Sequence, residues 1–221
     1  MSYIEIDRLS LTYRNGHEVF SELFATFDKG SISFLSGKTG SGKTALINLV
    51  IGAVRPTSGA VLVESINIHR LRSEQLARYR RNIGYVPQGA LLLEHRTVFE
   101  NVAMPLLARG LSNQEIENRV TTTLDQMELT DSVNVKVSVL SSGQQQLCAI
   151  ARALVNKPLI LIADEPTGNM DPTPGRQVMN LFRDYAGDQG TVIVSTNDTR
   201  YFERGDCVWQ IGNKRATKVS V

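Results

Sequence analysis

The chain has 221 residues, 42% of them hydrophobic and 21% charged, which suits one substantial soluble core. A formal charge of +2 gives no support to a nucleic-acid partner, which asks for a strong basic excess. Cys148 and Cys207 are the only cysteines and lie far apart, so apart from one possible pairing they offer no disulfide framework and fit a reducing compartment.

The opening residues, MSYIEIDRLS, alternate apolar with charged side chains, as a strand does, and lack the apolar stretch of a signal peptide. No run approaches the roughly 20 apolar residues that cross a bilayer. The expectation is a cytoplasmic protein held at a membrane only by another subunit. Strands are predicted over Tyr3–Tyr13 and Ser31–Leu35. GKTGSGKT then satisfies the G-x-x-x-x-G-K-[ST] pattern in full, after the apolar ISFL and before a helix. This makes Gly37, Lys38, Thr39, Gly40, Ser41, Gly42, Lys43 and Thr44 candidate ATP-binding residues. Glycines let successive N–H groups wrap phosphate oxygens, and a helix N-terminus adds partial positive charge. Lys43 can reach the β- and γ-phosphates, and the Thr44 hydroxyl is a natural Mg2+ ligand. A plain Gly-rich turn is the alternative, which motif and context together disfavour.

From Thr44 the run ALINLVIGAV has helical spacing and is expected to end near Arg55–Pro56, with PTSGAVLVESINI turning into a strand. The ALLL and MPLL runs within Ala90–Leu107 either fill a local core or receive a partner's helix. LSNQEIENRVTTTLDQMEL places Ile116, Val120, Leu124 and Met127 on one helical face, with Ser112 and Glu115 as a capping box. LILIADEPTGNMD predicts a buried strand over Leu159–Ile162 with Asp164 just beyond it. There Asp164 can hold Mg2+ through water, and Glu165 can accept a proton from attacking water. With TVIVS following, strands alternate with helices, which implies a parallel sheet beside a central helical insertion.

The stretch LSSGQQQLCAIARAL, Leu140–Leu154, resembles the signature segment of the ATP-binding cassette (ABC) family, and the resemblance covers essentially the whole chain. It implies an α/β P-loop NTPase, a RecA-like ABC nucleotide-binding domain with an antiparallel β part and an inserted helical subdomain. The whole of 1–221 would be one domain, with a core near 1–88 and 157–221 and the helical part near 89–156. The resemblance implies that Tyr13 stacks on adenine and that Gln88 of YVPQ is a Q-loop glutamine and metal ligand. It makes Leu140, Ser141, Ser142, Gly143 and Gln144 contacts for ATP held by a second subunit, and Asp171 the D-loop aspartate. Taken singly, Tyr13 is a strand residue and Gln88 a polar loop residue; the order of the motifs gives them these roles. Ser142 stands where the family has glycine, and its Cβ is expected to reshape the loop slightly. The implied assembly is a homodimer that closes on two ATP molecules, with Mg2+, and reopens after hydrolysis.

No coiled coil splits the two nucleotide motifs and no second cassette or permease is present, which argues against the repair, chromosome and translation branches. Tyr85–Gly110 and DEPTGNMDP are similar to the corresponding segments of the FtsE branch. That resemblance implies a role in cell division, with an FtsX-like integral membrane partner that controls cell-wall hydrolases. The LolD and MacB branches share DEPTG, so a lipoprotein or export system is the alternative. In TVIVSTND, Asn197 occupies the position of the family's switch histidine. Asparagine can donate a hydrogen bond but cannot carry a proton. The expectations are a slow ATPase or, alternatively, an ATP-gated binding module; retention of Glu165 favours the enzyme.

Overall fold

The computed structural model describes residues 2–168, 170–188 and 190–220; Met1, Asn169 of the LILIADEPTGNMD stretch, Gln189 and Val221 lie outside them. Strand β1 (Ser2–Thr12) pairs antiparallel with β2 (Glu18–Asp28). Sequence patterning missed β2, because its alternation is broken. Leu23, Ala25 and Phe27 keep period two, but Glu22 at φ 49° inserts an extra residue before Phe20 comes back to the buried face. Arg8, at φ 41°, does the same between Ile6 and Leu9 of β1. Such bulges bend and twist the pair. Strand β4 (Ser58–Val63) follows β1 in this sheet and closes on β5 (Ile66–Asn67). The two-residue turn between them, Glu64 and Ser65, has both φ positive, as tight hairpins require.

The second sheet has the order β10-β9-β3-β8-β7-β6. Its members are β3 (Ile32–Ser36), β6 (Ile83–Val86), β7 (Ile160–Asp164), β8 (Thr191–Ser195), β9 (Cys207–Gly212) and β10 (Arg215–Val219). All its neighbouring strands run parallel except the β9–β10 hairpin. Strand β7 starts one residue later than predicted. Leu159 is 49% exposed and outside the pairing, whereas Asp164 is the last strand residue and 1% exposed. Alternate residues of β7 feed two cores. Leu161 and Ala163 join the core under the helical segments, while Ile160 and Ile162 join the core shared with the first sheet.

Helix α1 (Lys43–Val50) ends at Ile51, where Gly52 turns the chain at φ 71°, and so stops before the expected Arg55–Pro56. Helix α2 (Ser73–Arg81) was not foreseen, and it has no buried residue to create apolar periodicity. The helical portion holds α3 (Val98–Leu107), α4 (Asn113–Gln126) and α5 (Ser142–Leu154), and α6 (Pro172–Asp188) follows β7. Ile116, Val120, Leu124 and Met127 are all buried as the periodicity predicts, and Ser112 and Glu115 form the predicted capping box. Asn101 is fully buried yet satisfied: its amide oxygen accepts from the Leu93 N–H at 2.8 Å and its amide nitrogen donates to Leu93 O and Thr97 O. Both cysteines are free, and burial pushes the Cys148 thiol up to about 12. Among the described residues no helix is long and apolar enough to cross a membrane.

The contact of β6 with α5 depends on Gly84. A Cβ there would stand 2.4 Å from the Ala153 carbonyl oxygen and 2.7 Å from Pro158 Cγ. Gly84→Ala is therefore expected to destabilise the fold by about 2 kcal/mol, the usual range for overpacking. Thermal unfolding should show this as a fall of roughly 4–8 °C for a chain of this size.

Candidate functional site

The phosphate loop leaves the C-terminal end of β3 and enters α1. Gly37, at φ 147°, runs so close to β9 that a Cβ would lie 2.3 Å from the Ile211 carbonyl oxygen. Gly42 is the N-cap of α1 at φ 108°, and a Cβ there would strike the Phe20 ring at 2.8 Å. Both positions need glycine on two counts, conformation and space. Lys43 is 7% exposed, and its Nζ donates to Gly37 O at 2.7 Å and to Asn197 Oδ1 at 3.1 Å. The Glu165 carboxylate lies 3.7 Å from the same nitrogen. The loop, the first residue after β7 (Glu165) and the second residue after β8 (Asn197) thus converge on one ammonium group.

Thr44 donates from Oγ1 to Asp164 Oδ2 at 2.7 Å. A hydroxyl and a carboxylate in contact are hard oxygen donors of the kind Mg2+ takes, with phosphate and water completing its shell. Glu165 has φ 49°, an uncommon conformation for a residue with a side chain. Its N–H donates to Ser195 O at 2.9 Å, and its carbonyl accepts from the Gly168 N–H at 3.2 Å, so β8 and the following turn hold it there. Burial raises the Glu165 carboxyl above its ordinary range; the Lys43 charge opposes this, Asp164 adds to it, and hydrogen bonds from the Asn197 N–H and the Thr196 hydroxyl lower it.

Sequence reading missed Thr196. The residue is 1% exposed, and its hydroxyl oxygen accepts from the Asp198 N–H at 3.1 Å, which leaves the hydroxyl proton for Glu165. A threonine at the end of a β strand reads as a strand former, so only the fold reveals its neighbour.

A cavity of about 270 Å³ joins these groups, and Tyr13, Thr39, Gly40, Gln88, Asp164 and Glu165 stand on its wall with Lys43 and Thr44. Tyr13 lies just past the end of β1 and is 41% exposed, with its ring available at the mouth. The signature residues Leu140–Gln144 and Asp171 do not line this cavity. Ser141 caps α5, its Oγ accepting from the Gln144 N–H at 3.3 Å while Gln144 Oε1 accepts from the Ser141 N–H. Ser142 is the first residue of α5 and does not have a left-handed φ, and such a helical position accepts a Cβ without backbone strain. At Gly143 a Cβ would meet nothing, and the surface there is open. Asp171 sits at the start of α6, where its carbonyl accepts from the Gly175 N–H at 3.0 Å.

A larger groove of about 680 Å³ lies away from the phosphate loop, between α3 and α4, with Leu93, Phe99, Met104 and Leu107 on its wall. The two readings of the 90–107 stretch divide by residue. Ala90, Val98, Val102 and Leu106 are buried, whereas Leu91, Leu93, Met104 and Leu107 are exposed.

Residues 20–168 match the family model described as ABC transporter. The cell division ATP-binding protein FtsE of Escherichia coli (strain K12) is 36% identical over 201 residues, covering 91% of this chain and 90% of that protein. FtsE of Mycobacterium tuberculosis is 37% identical over 196 residues, covering 88% and 85%. The methionine import ATP-binding protein MetN of Aliivibrio fischeri is 38% identical over 184 residues, but these cover 82% of this chain and only 54% of that protein. Among solved structures, a dimeric ATP-binding cassette in a post-hydrolysis state bound to ADP and Pi aligns over 98% of both chains, with TM-score 0.89 and 30% identity.

Proposed function

The chain belongs to the ABC transporter family of ATP-binding cassettes and is an ATPase subunit, and on that premise we propose that it is an FtsE-like cassette driving a membrane partner of the FtsX kind. Similarity to FtsE proteins from two distant bacteria over 85% or more of each chain supports this branch over MetN. The residues 1–88 and 157–221 are the proposed ATP-holding core, and 89–156 the helical part that meets the partner.

In this reading Tyr13 stacks on adenine and the loop Gly37–Thr44 wraps the phosphates. Lys43 exchanges its bond to Asn197 for the β- and γ-phosphate oxygens. Bound Mg2+ would neutralise charge building on the phosphates, and Thr44, Asp164 (through water) and Gln88 are the residues to hold it. Glu165 accepts the proton of the attacking water, and Thr196 and the Asn197 N–H fix the orientation of its carboxylate. Leu140, Ser141, Ser142, Gly143 and Gln144 complete the site of a second copy, with Asp171 beside them. A single chain keeps its signature outside its own cavity, which is the observation that carries the homodimer. The groove beside α3, with exposed Leu93, Met104 and Leu107, is where a helix of the partner would seat its apolar face. The chain would then work at the inner face of the membrane through that partner.

The test is co-purification of the chain with the FtsX-like protein of its source cell, followed by phosphate release with and without that partner. Stable capture, lost in a Leu93→Asp, Met104→Asp double variant, is the expected result. Capture instead of a lipoprotein-releasing or export permease would replace the FtsE-like assignment.

A further inference from the structure

Gln88 stands on the wall of the ATP cavity, and the three residues after it all have left-handed backbones: Gly89 at φ 77°, Ala90 at φ 61° and Leu91 at φ 45°. Two of the three carry side chains, for which this region is strained, so something outside the turn must hold it. Inside the turn the Leu91 N–H bonds to Gly89 O at 2.6 Å. From outside, one guanidinium takes both of the next carbonyls. Arg152 Nη2 donates to Ala90 O at 2.9 Å and Nη1 donates to Leu91 O at 2.9 Å. Arg152 lies in the last turn of α5, the helix that Ser141 caps and whose first turn holds Gln144. Its fork is spent on backbone oxygens rather than on a carboxylate, an unusual use for a partly buried cation.

We propose that Arg152 is a positioning residue that locks the turn after Gln88 to the signature helix, so that α5 and the wall of the ATP cavity move as one body. Gln88 precedes the clamped turn, and Leu93 of the α3–α4 groove follows it. A displacement of α5 when a second copy meets its first turn therefore reaches both. Lysine is expected to be a poor substitute: its donors radiate from one nitrogen, whereas the planar guanidinium presents two separate nitrogens at fixed spacing, one to each carbonyl. The role presupposes the nucleotide site proposed above, but the clamp itself does not.

The test compares full-length Arg152→Lys and Arg152→Met with the wild type by amide hydrogen exchange without nucleotide and by steady-state phosphate release. Exchange over residues 87–93 should speed up about tenfold in both variants, with residues of β7 and β8 unchanged. The kcat should fall on the order of tenfold to a hundredfold, as for a misplaced site group, while affinity for a fluorescent ATP analogue without Mg2+ stays within about twofold. Unchanged exchange over 87–93 overturns the clamp, whatever the activity. So does faster exchange spread evenly over β7 and β8, which marks a general packing role. Arg152→Lys behaving as wild type overturns the two-donor argument. A wild type that releases no phosphate undermines the proposed catalytic roles but leaves the exchange result to decide the clamp.

Discussion

Replacing Glu165 with glutamine is expected to lower phosphate release by roughly 10²–10⁴-fold, the usual contribution of a general base, with ATP binding intact. Glutamine has the same shape, so the backbone at φ 49° and its bond to Ser195 O should survive. The amide oxygen can still accept from the Asn197 N–H and the Thr196 hydroxyl. What disappears is the ability to take a proton 3.7 Å from the lysine that would hold the phosphates. Lost negative charge beside Lys43 also removes a competitor for ATP, so affinity should hold or rise. Size-exclusion chromatography with ATP should then show the closed dimer accumulating, because reopening waits on hydrolysis. An unchanged rate would remove Glu165 from the role of base.

Asn197→His is expected to act in the opposite direction, raising kcat on the order of 10²-fold. That is the scale on which a single transition-state donor matters in a water-poor site. Asn197 at present supplies an acceptor: its Oδ1 accepts a hydrogen bond from the Lys43 ammonium at 3.1 Å. Such a contact steadies the lysine before nucleotide arrives but does nothing for charge developing on the γ-phosphate. An imidazole can donate to that phosphate and carry positive charge as the bond breaks. The gain should appear in kcat with little change in ATP affinity, since binding rests on the loop Gly37–Thr44. A histidine variant no faster than the wild type would mean that the amide already provides the needed donor.

The phosphate loop was legible in the sequence because its chemistry is contiguous: eight adjacent residues carry both the turn and the donors. The Ser112–Glu115 cap and the buried face of α4 were legible for the same reason, being set within a few turns of helix. Strand β2 was not, since one bulged residue shifts the parity of everything after it. Helix α2 was not, because it has no fully buried residue and only Leu76 and Tyr79 are half-buried, too few to set an apolar period. Thr196 and Arg152 were invisible for another reason. Their partners are far along the chain, 61 residues away for the contact of Arg152 with Leu91, and nothing local marks either of them.

Strand β7 has a consequence for quality control. Its even-numbered residues, Ile160, Ile162 and Asp164, share one face, and the two isoleucines are embedded in the core that contains α1. Sliding the strand by one position would exchange the contents of both cores and swing Asp164 away from Thr44. Misalignment of the acid therefore cannot occur as a quiet defect in an otherwise sound molecule. It would surface as failure to fold, so any population that reaches the native state carries the Thr44–Asp164 pair already aligned.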